Sequence, residues 1–343
     1  MKQKLIFIGP LRIGKIPRGG DTMKNNLFLN RFKEVFDKIY VVDTINWRKK
    51  PLTMVKMLCY LTLIRNAKVV ISCEEGASRI VDFLYYFRFQ RKVFYWVVGS
   101  GFPARIARGE LSPKHYSFLK RILVQSPTMV QTLNKAGLTN AMYVPNSKPI
   151  YDIKIEQHRG STKFVFLSRI LPEKGIEQIF NCVRRLNGDG LSDKFEVAFY
   201  GMIDEHYKSF KEKINCFPNV EYKGLLDLTK EDGYKELATY DALLFPTFYE
   251  GEGFPGVFID AFISALPVIA SDWHCNTEII KDKETGFIIP PKDVDALYDK
   301  MKLFIENKGN MGSMRLKCKE EAKKYDRNNI LSETNLQRIG LLN

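Results

Sequence analysis

The segment 249–260, YEGEGFPGVFID, places acidic side chains and glycines directly ahead of an apolar stretch. Glu252 is followed eight positions later by Asp260, whereas the eighth residue after Glu250 is Phe258. Carboxylates so placed at the start of a helix can accept hydrogen bonds from vicinal hydroxyls, as on a ribose or a hexose. A purely structural alternative is that Glu252 caps the helix and Asp260 is an ordinary first-turn residue. The segment therefore predicts a hydroxyl-rich ligand.

A second group of candidate residues follows the apolar run KFVFLSRI, which ends in Arg169-Ile170 and continues as LPEKG with Lys174. These two cations lie where a strand ends and a helix begins. Arginine has forked donors and lysine is a point charge, and together they suit the binding of a diphosphate. Solvated surface charge is the alternative, because exposed Lys and Arg are common in such loops.

The glycine-rich stretch 9–26, GPLRIGKIPRGGDTMKNN, follows the first apolar run. Its backbone N–H groups around Gly19 and Gly20 and the start of the next helix could bind a phosphate. The spacing matches neither GxGxxG nor GxxxxGK[ST], so a connector without a ligand is the alternative.

The elements that must position these residues are short apolar runs separated by helix-length segments, in both halves of the chain. This pattern is typical of parallel sheets covered on both faces. We expect two doubly wound Rossmann-like domains, 1–152 and 153–325, facing each other across a cleft, with a helix in 326–343 returning to the first domain. Ligands of such sheets bind beyond the carboxyl ends of the strands, where the candidate residues lie.

Charge is distributed unevenly: residues 1–155 contain 27 Lys or Arg and 9 Asp or Glu, although the whole chain carries only +14. The basic first half predicts an anionic partner, with solubility as the alternative. The stretch 47–68, WRKKPLTMVKMLCYLTLIRNAK, combines basic residues, a tryptophan and apolar positions. This combination suits docking on an anionic membrane. The alternative is a helix packed on the first sheet, which would show the same apolar pattern. No run is long enough to span a membrane.

Metal chemistry is not expected. The six cysteines are scattered, and the histidines His115, His158, His206 and His274 stand alone. Reduced cysteines and the absence of a signal peptide indicate a cytoplasmic protein.

Three segments in order resemble the donor-binding half of the retaining glycosyltransferases of family 4, which have the GT-B fold: 166–175, 245–272 and 285–297. The resemblance is close over 163–300 and looser through VQSPTMVQTLNKAGLTNAMYVPNSK (124–148) in the first half. It implies that Arg169 and Lys174 bind the donor diphosphate and stabilise it as it leaves, and that Glu252 contacts sugar hydroxyls. Asp260 stands where the family has a second glutamate for the ribose. The full donor-binding set is Gly19, Gly20, Gly201, Gly253, Phe254, Pro255, Gly256, Val257 and Asp260.

The loop WVVGSGFPARI in the first half lacks the histidine that many relatives carry near the reacting sugar. We assign no catalytic base, interpret His115 as an ordinary surface or packing residue, and place Gly99, Ser100 and Gly101 on the acceptor side.

Together with the resemblance, which implies retention and transfer of a sugar, the sequence predicts a metal-independent, retaining hexosyltransferase without a cofactor, peripheral on the inner face of the plasma membrane. Its donor is a nucleoside diphosphate sugar, UDP before GDP, and its acceptor a polyprenyl-diphosphate-linked oligosaccharide or another glycan. A nucleic-acid partner is not expected. The alternatives are a sugar-nucleotide epimerase or hydrolase on the same fold and an inert sugar-nucleotide-binding scaffold.

Overall fold

The computed structural model describes residues 3–11, 20–74, 76–89, 92–155, 160–307, 309 and 311–343. The chain divides into two compact units, Met1–Ser147 with Arg327–Asn343, and Lys148–Asp326. Residues 148–152, which the sequence assigns to the first domain, belong to the second unit. The backbone N–H of Lys148 already donates to the carbonyl oxygen of Tyr325 at 3.0 Å.

The first unit contains a six-stranded sheet whose strands pair in parallel. Its strands are β1 (Lys4–Gly9), β2 (Lys38–Asp43), β3 (Ala67–Ile71), β4 (Val93–Trp96), β5 (Arg121–Val124) and β6 (Ala141–Tyr143), in the order β2-β1-β3-β4-β5-β6. The connecting helices are α1 (Gly20–Val35), α2 (Pro51–Leu63), α3 (Ala77–Tyr86), α4 (Gly101–Ala107) and α5 (Pro127–Lys135). The central strands are buried on both faces, which is why they are apolar throughout.

A buried polar network joins the carboxyl ends of β1 and β3 to α1. Asn25 donates to the carbonyl oxygens of Pro10 (3.1 Å) and Ser72 (2.8 Å), and the Ser72 hydroxyl donates to Asn25 Oδ1 (2.6 Å). Lys24, on the same helix, donates to the carbonyl oxygen of Val97 at 2.9 Å. Burial lowers the pKa of Lys24 to about 7. The network aligns the strand ends from which the loops of this unit leave.

The second unit repeats the plan with its own parallel six-stranded sheet. Its strands are β7 (Thr162–Leu167), β8 (Phe195–Tyr200), β9 (Val220–Gly224), β10 (Ala242–Phe245), β11 (Val268–Ser271) and β12 (Gly286–Ile289), in the order β12-β11-β10-β7-β8-β9. Its helices are α6 (Ile176–Gly188), α7 (Phe210–Ile214), α8 (Glu231–Ala238), α9 (Gly256–Ile263), α10 (Asn276–Ile279), α11 (Val294–Glu306) and α12 (Gly312–Ala322). Because β10 pairs with β7, the loops that follow these two strands leave the same edge side by side.

The C-terminal segment, with helices α13 (Arg327–Ile330) and α14 (Glu333–Ile339), belongs to the first unit. Leu331, Leu336 and Leu341 are fully buried in a core shared with strand β1. Lys68 donates to the carbonyl oxygen of Leu341 at 2.9 Å, and Arg31 to that of Leu331 at 3.0 Å. The last residues therefore complete the first unit's core.

Helix α2, within residues 47–68, has both buried and exposed apolar residues. Met57 and Leu61 are buried in the core of the first unit. Leu52, Val55 and Leu63 on the same helix are 79%, 54% and 73% exposed. The helix thus packs one face on the sheet and presents another apolar face outward.

Candidate active site

Lys174 ends a short 3-10 helix, Pro172–Lys174, just after strand β7. Its side chain is buried, and the ammonium forms an ion pair with Glu252 Oε2. The same ammonium lies 4.9 Å from the ring centroid of Tyr249 and 5.3 Å from that of Phe245. Burial lowers the pKa of Lys174, and the nearby Glu252 carboxylate opposes this shift. A cation is thus held in a water-poor place, where its field is strong.

Arg169 is exposed in the loop after β7, and its guanidinium lies 5.5 Å from the same Tyr249 ring. Its charge also lowers the pKa of Lys174, although less than burial does. The structure thus brings together two cations that share one aromatic neighbour, with the carboxylate of Glu252 beside one of them. Such an excess of positive charge at strand ends suits an anion with several oxygens, such as a diphosphate.

Glu252 lies in the loop between β10 and α9 and is 9% exposed. Besides Lys174, it accepts a hydrogen bond from the Thr247 hydroxyl at 3.3 Å, and its own backbone N–H donates to the carbonyl oxygen of Tyr249 at 3.0 Å. Helix α9 begins without a side-chain cap. The capping alternative for Glu252 is therefore wrong, and its carboxylate instead orients Lys174.

Asp260 lies in the second turn of α9 and is 3% exposed. Both of its oxygens are 2.5 Å from the Lys148 ammonium, and the Tyr234 hydroxyl donates to Oδ1 at 3.0 Å. Burial and this carboxylate raise the pKa of Tyr234. Sequence reasoning missed Lys148 and Tyr234: Lys148 ends the loosely resembling segment 124–148 but is 112 positions from Asp260, and nothing in the sequence pairs the two.

Two of the predicted donor-site glycines in the second unit, Gly201 and Gly256, differ in the space around them. Gly201, after β8, has φ +143°, and a Cβ there would lie 1.7 Å from the carbonyl oxygen of Ser168. It therefore allows close approach of the loop that carries Arg169. Gly256 starts α9, and a Cβ added to it would meet only the Lys148 side chain, with Cε 3.7 Å away. Gly253, Phe254, Pro255 and Val257 surround the start of the same helix.

Gly20 is the first residue of α1 in the first unit and is exposed, with nothing within 4 Å of where a Cβ would be. Its position therefore calls for no glycine, and its role in donor binding stays a prediction. Gly19 lies outside the described residues.

The loop after β4 carries Gly99, Ser100 and Gly101. A Cβ on Gly99 (φ +72°) would lie 3.2 Å from Glu74 Oε1, and one on Gly101 only 2.9 Å from it. The two glycines therefore make room for the carboxylate of Glu74, an exposed residue just after β3. Sequence reasoning missed Glu74. The sequence feature that could have identified it is an acidic residue after β3, next to the strand β4 that is followed by the glycine-containing loop.

His115 has structural contacts. Its Nδ1 is 2.7 Å from Asp82 Oδ1, and its ring stacks on Tyr85 with centroids 4.6 Å apart. His206 is exposed beside Glu205 and His274 contacts the Trp273 ring, whereas His158 lies outside the described residues. Within the described ranges, no three His, Cys, Asp or Glu side chains gather as a metal site.

Two doubly wound parallel sheets in separate units are the features of the GT-B fold. The family model for glycosyl transferases group 1 matches residues 148–325, just over half of the chain. The chain belongs to this family. The predicted fold class is confirmed, whereas the narrower assignment to family 4 stays a prediction.

Comparison with known proteins supports this family. The chain is 23% identical over 215 residues to the poly(ribitol-phosphate) alpha-N-acetylglucosaminyltransferase of Staphylococcus aureus, a match covering 62% of this chain but only 42% of that protein. Anabaena HepE in complex with UDP and glucose superposes with a TM-score of 0.71, at 13% identity over 99% of both chains. A sucrose-phosphate synthase from Thermosynechococcus elongatus gives 0.78, also at 13% identity and 99% of both chains.

Proposed function

We propose that this glycosyltransferase moves a hexose-type sugar from a nucleoside diphosphate sugar to a glycan acceptor, with retention at the anomeric carbon. The observation that carries the proposal is the buried Lys174–Glu252 pair, next to Arg169 at the carboxyl edge of the second sheet. The UDP and glucose bound to HepE support a UDP-sugar donor. The name of the Staphylococcus aureus relative, which specifies an alpha-linked product on a poly(ribitol-phosphate), supports a polymeric glycan or polyol phosphate acceptor.

The proposed mechanism assigns the departing diphosphate to the two cations. As the bond from the anomeric carbon to the phosphate oxygen breaks, negative charge grows on that oxygen, and Arg169 and Lys174 stabilise it by preorganised charge. Binding of the anion also favours the charged form of Lys174, whose pKa burial has lowered. Glu252 orients Lys174 and can accept a hydrogen bond from a sugar hydroxyl. These cations supply the charge for which other transferases use a divalent ion, so we propose a metal-independent reaction with no cofactor.

Retention follows if the acceptor hydroxyl attacks the face that the leaving group vacates. The new bond forms between the acceptor oxygen and the anomeric carbon, the bond to the phosphate oxygen breaks, and that phosphate oxygen takes the acceptor proton. The reaction then needs no enzymic nucleophile and no histidine base.

On the acceptor side, we place Glu74 with Gly99, Ser100 and Gly101. The glycines let the carboxylate of Glu74 lie directly against their loop, and a carboxylate has several acceptor positions, one of which an acceptor hydroxyl can use. Glu74→Gln should raise the KM for the acceptor by about tenfold, the effect of losing one charge-assisted hydrogen bond. The KM for the donor should stay unchanged. Steady-state kinetics with each substrate varied tests this, with the exposed Glu110→Gln as control. Equal effects of the two variants would contradict the role of Glu74.

We further propose that the first unit docks on an anionic membrane through α2, where a polyprenyl-diphosphate-linked acceptor would be found. Leu52, Val55 and Leu63 are exposed on this helix, and the exposed basic residues Arg48, Lys49, Lys50, Lys56 and Arg65 lie on or beside it. Apolar side chains among basic ones suit the interface of an anionic bilayer. Among the described residues, no helix has the length and hydropathy needed to cross a bilayer.

Changing Leu52 and Val55 together to glutamate should abolish co-sedimentation with vesicles that contain anionic lipid. The substitution removes exposed apolar area and adds repulsion from the lipid headgroups. Leu316→Glu is the matched control, since Leu316 is an exposed leucine (60%) of the second unit. Retained binding of the double variant, or an equal loss in the control, would contradict docking through α2.

The proposed function is tested by thermal-shift and product-release assays with UDP, GDP, ADP and their common sugars. Each is run with EDTA, and with and without a lipid-diphosphate acceptor. Stabilisation by one nucleotide, with release of that diphosphate only when acceptor is present, supports transfer and identifies the base. Release without acceptor would point to a hydrolase or epimerase, and binding without turnover to an inert scaffold. No response to any nucleotide would contradict the proposal.

A further inference from the structure

The pairing of Asp260 changes which group can contact the donor at this position. An ionised carboxylate offers about four acceptor positions. Lys148 approaches both Asp260 oxygens and Tyr234 donates to one of them, so three donor contacts already surround a side chain that is 3% exposed. Little of this carboxylate is left for ribose hydroxyls, the role that the resemblance gives to a longer glutamate. The group presented beside it is instead an ammonium.

The position of that ammonium favours an anion. Gly256 is the first residue of α9, and the place of its missing Cβ is 3.9 Å from Lys148 Nζ. The positive end of a helix repels a cation, and its first N–H groups seek an acceptor. No side chain caps this helix. The Asp260 carboxylate balances this ammonium on one side, and the start of the helix next to it is a favourable place for a further anion.

The main chain of Lys148 is held in place as well. Its N–H donates to the carbonyl oxygen of Tyr325, and Lys148 forms a parallel bridge with Asp326. The side chain is 12% exposed, so it is largely but not completely buried. This combination fixes the charge without sealing it from a ligand.

We propose that Lys148 binds a phosphate oxygen of the nucleoside diphosphate donor, as a further cation in addition to Arg169 and Lys174, and that Asp260 positions it. This inference rests on the proposed function. It adds Lys148 to the residues that bind the donor diphosphate. A rival explanation is that the Lys148–Asp260 pair only stabilises the fold. Buried ion pairs can often be replaced by neutral side chains without loss, whereas removal of one member leaves an unpaired charge. A double substitution therefore separates the two explanations.

The test measures, by calorimetry, the affinity of the intact protein for UDP and for uridine. It uses Lys148→Met, Asp260→Asn, the double variant and Lys319→Met, a second-unit lysine paired with Asp152 on the surface. Lys148→Met should weaken UDP binding by about tenfold, as expected for loss of a charged phosphate contact. Uridine binding should not change. The double variant should regain thermal stability and still bind UDP about tenfold more weakly. Lys319→Met should bind as the wild type does.

Three results would overturn the inference. If the double variant regains wild-type UDP affinity, the pair is structural. If uridine binding falls as much as UDP binding, the contact is to the nucleoside. If the wild type binds UDP and Lys148→Met binds it equally well, no contact exists. GDP binding is measured as well. If the proposed function is wrong, the wild type will bind neither UDP nor GDP, a result that differs from all three above. Normal UDP affinity in Lys174→Met would remove Lys174 from the site without affecting the role of Lys148.

Discussion

Lys174→Met should reduce kcat/KM for sugar transfer by at least about tenfold, equivalent to about 1.4 kcal/mol of transition-state stabilisation. Methionine keeps much of the side-chain volume between the rings of Tyr249 and Phe245 but removes the charge. The loss should appear mainly in kcat, because negative charge on the departing oxygen grows only as the glycosidic bond breaks. Initial rates of diphosphate release, with donor and acceptor each varied, measure it.

A loss of folding must be separated from a loss of chemistry in this experiment. Lys174→Met leaves Glu252 buried without its cation, and breaking a buried pair costs about 3–5 kcal/mol of stability. Adding Glu252→Gln should restore much of that stability while activity stays low. Lys213→Met is the control for loss of an ion pair, since Lys213 and Glu177 pair in the same unit with both side chains 40% exposed. A wild-type rate in the folded double variant would show that Lys174 is not part of the donor site.

The site elements that sequence could predict are those for which local pattern and topology agree. Arg169 and Lys174 follow one apolar run, and Glu252 follows another. Parallel strands with both faces buried present their following loops at one edge, so proximity of the three residues could be expected. The pairing of β10 with β7 makes those loops neighbours. The choice of Glu252 over Glu250 likewise followed from spacing alone, and in the structure Glu252 is buried whereas Glu250 is exposed.

Residues outside these patterns could not be found in the same way. Lys148 lies in a turn-rich segment without periodicity. Its ion pair with Asp260 depends on how the chain between the two residues packs. Asp260 is one methylene shorter than glutamate, a change that sequence shows but whose consequence depends on which cation is near. Glu74 meets Gly99 and Gly101 only because β3 and β4 are adjacent in the sheet.

Surface features were harder to predict than the core. The apolar residues of α2 were compatible with packing on the sheet and with docking on a membrane. A helix of 13 residues is long enough to carry one apolar face for each. Met57 and Leu61 face the sheet, and Leu52 and Leu63 do not. Periodicity alone indicates an apolar helix, whereas the number of apolar positions left uncovered depends on how its neighbours pack.

Gly175→Ala should destabilise the second unit by about 3 kcal/mol or more, the range of strained backbone combined with overpacking. Gly175 follows Lys174 with φ +83°, and a Cβ there would lie 2.2 Å from the carbonyl oxygen of Pro246. The close approach joins the loop after β7 to the loop after β10. Relief of the overlap must therefore move the segment of Lys174 away from that of Glu252, so the variant should also lose transfer activity while folded.

Gly190→Ala separates strain from overlap, because Gly190 has a similar φ of +77° but nothing within 4 Å of its missing Cβ. It should cost only about 1–2 kcal/mol, the left-handed penalty of a residue with a Cβ, and leave transfer unchanged. Chemical denaturation and initial rates of both variants make the comparison. Equal destabilisation would mean that only backbone conformation matters at Gly175. A stability loss in Gly175→Ala without any change in rate would mean that Lys174 tolerates displacement, which contradicts a preorganised role for its charge.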